Sequence, residues 1–151
     1  MIKKILAKIF YIVLLTSCGF APMYSNMDSN KLNIQIVGSQ GDNAINSKII
    51  SRLKIHNNIN EDLFKIELNT NYIKKDFSRN LKGEITEYQL NAKTSYKIIA
   101  KNLEEEFNIS ESFIMKNFSD DFEEKNYEKR LKNNIADINY QKLMLQLMKL
   151  K

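Results

Sequence analysis

The stretch Tyr88-Gln-Leu-Asn-Ala-Lys-Thr-Ser-Tyr-Lys-Ile98 puts Tyr88, Leu90, Ala92, Thr94, Tyr96 and Ile98 on one side of an extended chain. Gln89, Asn91, Lys93, Ser95 and Lys97 lie on the other. Side chains alternate across a strand with a period of two, so this pattern describes a strand with one buried and one solvated face. Upstream, Phe64, Ile66, Leu68, Thr70 and Tyr72 alternate with Lys65, Glu67, Asn69 and Asn71 in the same way. Lys74 to Gly83 lies between the two runs and reads as the loop of a hairpin. It is polar and basic, with Lys74, Lys75, Arg79 and Lys82 set around Phe77 and Leu81, and Gly83 suits the return. Downstream, Phe107, Ile109, Phe113, Ile114, Met115 and Phe118 give a less regular strand with a bulge expected near Ser112.

Helices are expected on either side of this three-stranded block. Ser119, Asp120 and Asp121 offer caps and first-turn negative charge for a long final helix running towards Lys149. Its apolar stripe starts with Tyr127, Leu131, Ile135 and Ile138 and widens through Tyr140, Leu143, Met144, Leu145, Leu147, Met148 and Leu150. Towards the N-terminus, Leu32, Ile34 and Ile36 alternate ahead of a turn expected at Gly38 to Gly41. Asp42 or Asn43 then caps a helix carrying Ile45, Ile49, Ile50 and Leu53, with Asn46, Lys48 and Arg52 on its polar face. The order strand, helix, three strands, helix predicts an α+β fold: a four-stranded, mostly antiparallel sheet with two helices packed on one face (β-α-β-β-β-α).

The first 30 residues follow another grammar. Lys3, Lys4 and Lys8 precede the apolar run Ile9 to Leu15, which is too short for a membrane span of about 20 residues and reads as a cleavable signal peptide, residues 1–17. Residues 18–30 then form the start of the mature chain and a polar tether, and residues 31–151 a single domain. Cys18 is the only cysteine, so an intramolecular disulfide is excluded, and one Cys with one His makes no structural zinc site. Of 23 basic residues, the three lysines of the signal peptide leave 20 against 18 acidic ones. A mature chain so nearly balanced argues against nucleic acid as a partner.

An active site is hard to assemble from this sequence. His56 stands beside asparagines, and Glu104, Glu105 and Glu106 read as a solvated turn. Asp120 and Asp121, with Glu123 and Glu124, read as a capping cluster. With four glycines and one histidine, no phosphate loop or nucleophile motif appears, and an enzyme is disfavoured. The basic loop is by itself a solvated hairpin tip, with Lys101 at the next turn a weaker candidate for ligand contact.

Leu15, Thr16, Ser17 and Cys18 resemble the bacterial lipobox, and Cys18-Gly-Phe-Ala-Pro-Met-Tyr24 resembles the CGFxPLY opening of lipopolysaccharide-assembly lipoproteins of the LptE family, with Met23 in place of the usual leucine. The resemblance implies cleavage before Cys18 and covalent lipid on it, with acyl chains such as palmitate and no other cofactor. Several acyl chains hold a protein on a membrane where one does so only marginally. Gly19, where inner-membrane lipoproteins often carry aspartate, implies the outer membrane. The family further implies a plug and assembly factor for the outer-membrane β-barrel LptD, facing the periplasm and partly within the barrel lumen, that assists lipopolysaccharide insertion into the outer leaflet. Lys74, Lys75, Arg79 and Lys82 become its candidate lipopolysaccharide contacts, since lysine and arginine bind phosphate by charge-assisted hydrogen bonds. The alternative is an envelope lipoprotein that binds another ligand or assembly machine, for example peptidoglycan.

Overall fold

A computed structural model of the chain describes residues 32–56, 62–101 and 103–150. The predicted signal peptide, Cys18 and the tether lie outside the described residues. Four strands, β1 (Asn33–Gly41), β2 (Leu63–Arg79), β3 (Ile85–Ala100) and β4 (Leu103–Lys116), form one sheet in the order β1-β2-β3-β4. Helix α1 (Asn43–Leu53) connects β1 to β2, and α2 (Asp121–Lys149) follows β4. The fold class is the one expected from sequence.

β1 runs parallel to β2, while β2, β3 and β4 form an antiparallel meander. A parallel pair needs a crossover, and α1 supplies it. Ile34 of β1, Ile45, Ile49 and Leu53 of α1, Phe64, Ile66 and Leu68 of β2, and Tyr96 and Ile98 of β3 share one buried cluster with Ile135, Leu143, Met144 and Leu147 of α2. Both helices therefore cover the same sheet face. Leu90, Met115 and Leu131 extend the core towards the β2–β3 turn. The opposite sheet face carries the lysines, glutamates and asparagines of the alternating pattern.

Local differences from the sequence reading have identifiable causes. Gly38 to Gly41 is not a turn. After a bulge between Ile36 and Gly38, β1 continues to Gly41, where φ is +89° and the chain turns into α1. Asp42 caps that helix, its Oδ1 accepting from Ile45 N at 3.0 Å while its own N–H donates to Thr70 O at 2.9 Å. Asn46 is not on a polar face. It is buried, donating through Nδ2 to Gln40 O at 2.6 Å and accepting from Thr70 Oγ1 at 2.6 Å. Since the Thr70 hydroxyl proton is used there, the 2.9 Å contact to Thr94 Oγ1 has Thr94 as donor.

Ser112 carries no bulge: β4 pairs with β3 in unbroken register from Leu103 to Lys116. The irregularity falls instead near Phe77 of β2. Ile114 consequently faces outward and is exposed, and Glu111 takes a place on the helix-covered face, where Lys142 Nζ reaches it at 2.5 Å. In α2, Asp120 is the N-cap, and the buried residues include Leu131 and Ile135 together with an unanticipated Asn139. Its Oδ1 accepts from Tyr96 Oη at 3.2 Å and its Nδ2 donates to Ile135 O at 3.0 Å, satisfying a polar group within the core.

Candidate functional site

The four basic residues read as one loop occupy different environments. β2 runs on through Lys74 and Lys75 to Arg79, so the turn proper contracts to Asn80–Gly83. Polar residues can prolong a strand when a long partner supplies the hydrogen bonds, and β3 pairs with β2 as far as Arg79 and Ile85. Asn80 organises the turn. Its Oδ1 accepts from Lys82 N at 2.9 Å and Glu84 N at 3.0 Å, its Nδ2 donates to Glu84 Oε2 at 2.7 Å, and Gly83 supplies a φ of +83°.

Lys74 lies under α2 rather than at a tip. Its Nζ is 2.7 Å from Glu124 Oε1, 3.1 Å from Glu128 Oε2 and 4.2 Å from the Tyr88 ring centroid. Glu128 also accepts from Tyr72 Oη at 2.9 Å. Lys132 then bridges to Asp42 Oδ2 at 2.7 Å, with its ammonium 3.9 Å from the Tyr72 ring centroid. This mostly covered chain of charges ties the N-terminal half of α2 to β2 and to the cap of α1. Burial raises the Tyr72 phenol, reinforced by its hydrogen bond to Glu128. For Lys74, burial pulls the ammonium down, but the hydrogen bonds to Glu124 and Glu128 outweigh it and the pKa is raised. The Lys74 hydrogen bond holds the Glu124 carboxyl below its ordinary value.

A pH signature follows. The stabilisation tied to Glu124 is full above the ordinary carboxylate pKa of about 4.3 and is lost as pH falls through its depressed value in the folded chain. That tied to Lys74 is full below about 10.4 and lost as pH rises through its raised value. Lys74→Met is therefore expected to cost about 1–2 kcal/mol at pH 7 and to flatten the acid limb, measured by urea melts across pH 3–7.

Arg79 is also engaged, pairing with Asp76 and donating from Nη1 to Gly83 O at 2.7 Å, so it braces the turn. Lys75 and Lys82 are exposed and have no side-chain partner among the described residues. Phe77 and Leu81 beside them are 55% and 109% exposed. The hairpin end thus presents two free ammonium groups and two apolar side chains on a hydrogen-bonded turn. It has the chemistry to touch a molecule that carries both anionic and hydrocarbon parts, and it contains no nucleophile–base pair.

Lys101, in the left-handed conformation at φ +47°, pairs with Asp62 at 2.6 Å. Glu104 pairs with Lys97 at 2.7 Å, while Glu105 and Glu106 are exposed, and His56 ends the short 3-10 turn that follows α1. A shallow concavity of about 420 Å³ crosses the open sheet face, lined by Gly38, Glu67, Ser95, Lys97, Glu106 and Asn108 among others. Among the described residues no cluster of His, Cys, Asp or Glu has the arrangement to hold a metal ion. None of their helices is long and apolar enough to cross a membrane.

No protein-family model and no curated protein sequence matches the chain. Solved structures do. Rare lipoprotein B from Shewanella oneidensis superposes with a TM-score of 0.60 at 16% identity, covering 78% of this chain and 98% of that one. Uncharacterized lipoprotein B from Nitrosomonas europaea gives 0.53 at 15% identity over 79% and 85% of the two chains. A candidate lipoprotein from Caulobacter crescentus gives 0.51 at 14% identity over 82% and 93%. At these identities the likeness is one of fold: the chain has the α+β fold of these lipoproteins over nearly their whole length.

Proposed function

We propose that this chain is an outer-membrane lipoprotein, anchored by lipid on Cys18, that plugs and helps assemble the β-barrel translocon LptD and assists lipopolysaccharide insertion into the outer leaflet. One conjunction carries the reading: the opening from Leu15 to Tyr24 resembles that of the LptE family, and the domain behind it has the fold of rare lipoprotein B, which corresponds to LptE. Neither half depends on the other, since the motif lies outside the described residues and the fold comparison rests on the domain. The physical character of the domain supports the role. A helix-covered sheet with a polar outer face suits the polar lumen of a large barrel, and a lipid tether raises the local concentration, so that modest docking affinity suffices.

The test is co-purification. Tagged full-length protein, solubilised from membranes in mild detergent, is expected to bring down a large outer-membrane β-barrel identified by mass spectrometry. Recovery without any such barrel would overturn the reading and leave the envelope lipoprotein with another ligand in its place.

Within this reading, lipopolysaccharide contact narrows from four residues to Lys75 and Lys82, backed by Phe77 and Leu81. Lys74 and Arg79 are occupied in holding the structure together. Lys75→Ser with Lys82→Ser is expected to weaken binding to purified lipopolysaccharide severalfold with the melting temperature unchanged. Unaltered binding would exclude the hairpin end as the contact.

A further inference from the structure

The sheet has a free edge whose own sequence specifies what can sit on it. β4 pairs with β3 along one side only, and among the described residues nothing hydrogen-bonds to its other side. Edge strands are ordinarily blunted by bulges, prolines, brevity or charged side chains, and the charges of β4, apart from Glu111, gather at its two ends, Glu104 to Glu106 and Lys116. β1, at the opposite edge, has a bulge and only 9 residues, whereas β4 has 14, in unbroken register and without proline. Its inward-facing charge, Glu111, is neutralised by Lys142 from its own chain. A groove runs beside this edge, between Phe107, Asn108, Ile109 and Ser110 of β4 and Lys142, Leu145, Gln146 and Lys149 of α2. Leu145 and Met148 of the same helix are 37% and 39% exposed.

We propose that the occupant of this edge is a second copy of β4, paired antiparallel about a twofold axis at Ser110 to give one continuous eight-stranded sheet. Opposed residues in an antiparallel pair must lie on the same face of the sheet, which allows only axes that pass through a residue. With the axis at Ser110, Glu104 of each copy meets Lys116 of the other, and Phe107 meets Phe113. The two strand ends are thus joined by opposite charges, with an aromatic pair on the helix-covered side at each half. One residue further along, at Glu111, the axis sets Glu106 against Lys116 but brings the two Glu111 carboxylates face to face. One residue back, at Ile109, it leaves Lys116 beyond the end of the partner strand and sets Glu104 against Ile114. Ser110 is the register that pairs Lys116 with a carboxylate and sets no like charges against each other. Because Leu145 flanks Ser110 in the groove, the same axis brings the two α2 helices alongside each other there.

Cysteine cross-linking tests both the pairing and its register, using full-length chains in mild detergent. Ser110→Cys sets two thiols directly opposite at the axis, within the usual 4.4–6.8 Å span between Cα atoms of a disulfide. Asn108→Cys sets them four residues apart, roughly 13 Å along the strand and out of reach. Residue 108 instead faces residue 112 of the second copy. Under mild oxidation, Ser110→Cys is expected to give at least tenfold more disulfide dimer than Asn108→Cys alone, with the parent chain setting the background from Cys18. An equal mixture of Asn108→Cys and Ser112→Cys chains should cross-link where neither does alone. Dimer yields equal for Ser110→Cys and Asn108→Cys, or no dimer above background for any of them, would overturn the proposal. All three positions are exposed, so the substitutions leave the fold intact.

Discussion

Gly41→Ala is expected to destabilise the domain by about 3–5 kcal/mol, enough to leave much of the chain unfolded at 37 °C. Two effects act together. At φ +89° an alanine pays the penalty of a conformation that L side chains avoid, and its Cβ would lie 2.0 Å from Thr70 O and 2.7 Å from Thr70 C. Those are backbone atoms in the middle of β2, so relief requires moving a strand rather than turning a side chain. The strain also falls where Asp42 N–H donates to Thr70 O, the contact that starts α1 against the sheet. Urea melts comparing Gly41→Ala with Gly83→Ala check the cause. Gly83 has a similar φ of +83° but nothing within 4 Å of an added Cβ, so its alanine variant should lose only about 1 kcal/mol.

Asn46→Leu is the second large effect, expected to cost about 2–4 kcal/mol although it enlarges the apolar face of α1. The substitution strips Gln40 O of its donor and Thr70 Oγ1 of its acceptor, so the buried Thr70 hydroxyl keeps only its contact with Thr94. A polar group that is buried and loses a hydrogen bond without gaining water in exchange is destabilising, and an apolar side chain supplies no substitute. Asn46→Leu combined with Thr70→Val and Thr94→Val removes the hydroxyls as well, leaving only Gln40 O, on an exposed residue, without its donor. The triple variant is therefore expected to regain stability over the single one, which a thermodynamic cycle measures directly. If the single variant were as stable as the parent, the chain of hydrogen bonds through Asn46 would have no role in holding α1 to the sheet.

These two positions also mark where sequence reading works and where it stops. Thr70 and Thr94 sit on the buried phase of two clean alternations, so their burial was legible even though they are polar. Asn46 follows Ile45 and lies three residues before Ile49, and helical spacing alone assigned it outward because asparagine is usually solvated. Its true place depends on Gln40 and Thr70, which no local window contains. Lys74 failed for a related reason. Lysine at the end of an apolar alternation suggests a loop, but here the partner strand continues and Glu124 and Glu128 arrive from the last helix. Glu124 was visible as first-turn charge and Glu128 lies one turn further on, while the lysine they answer lies 50 and 54 positions earlier. Lys75 and Lys82 were found by the same reading that misplaced Lys74, since unpaired surface charge needs no distant partner to be recognised.

The bridge from Lys132 to Asp42 has a consequence for how the domain is made. Its two residues stand 90 positions apart, and Asp42 is the cap on which the first helix begins. During vectorial synthesis, β1 and α1 emerge long before either β2 or the counter-ion of that cap exists. A closure this long has a high entropic cost and is met only when the final helix docks. The early elements therefore have β2 to pair with well before the cap of the first helix finds its counter-ion. A truncation before Lys132 is accordingly expected to remove the charge that closes the cap of the first helix together with the core side chains of the last.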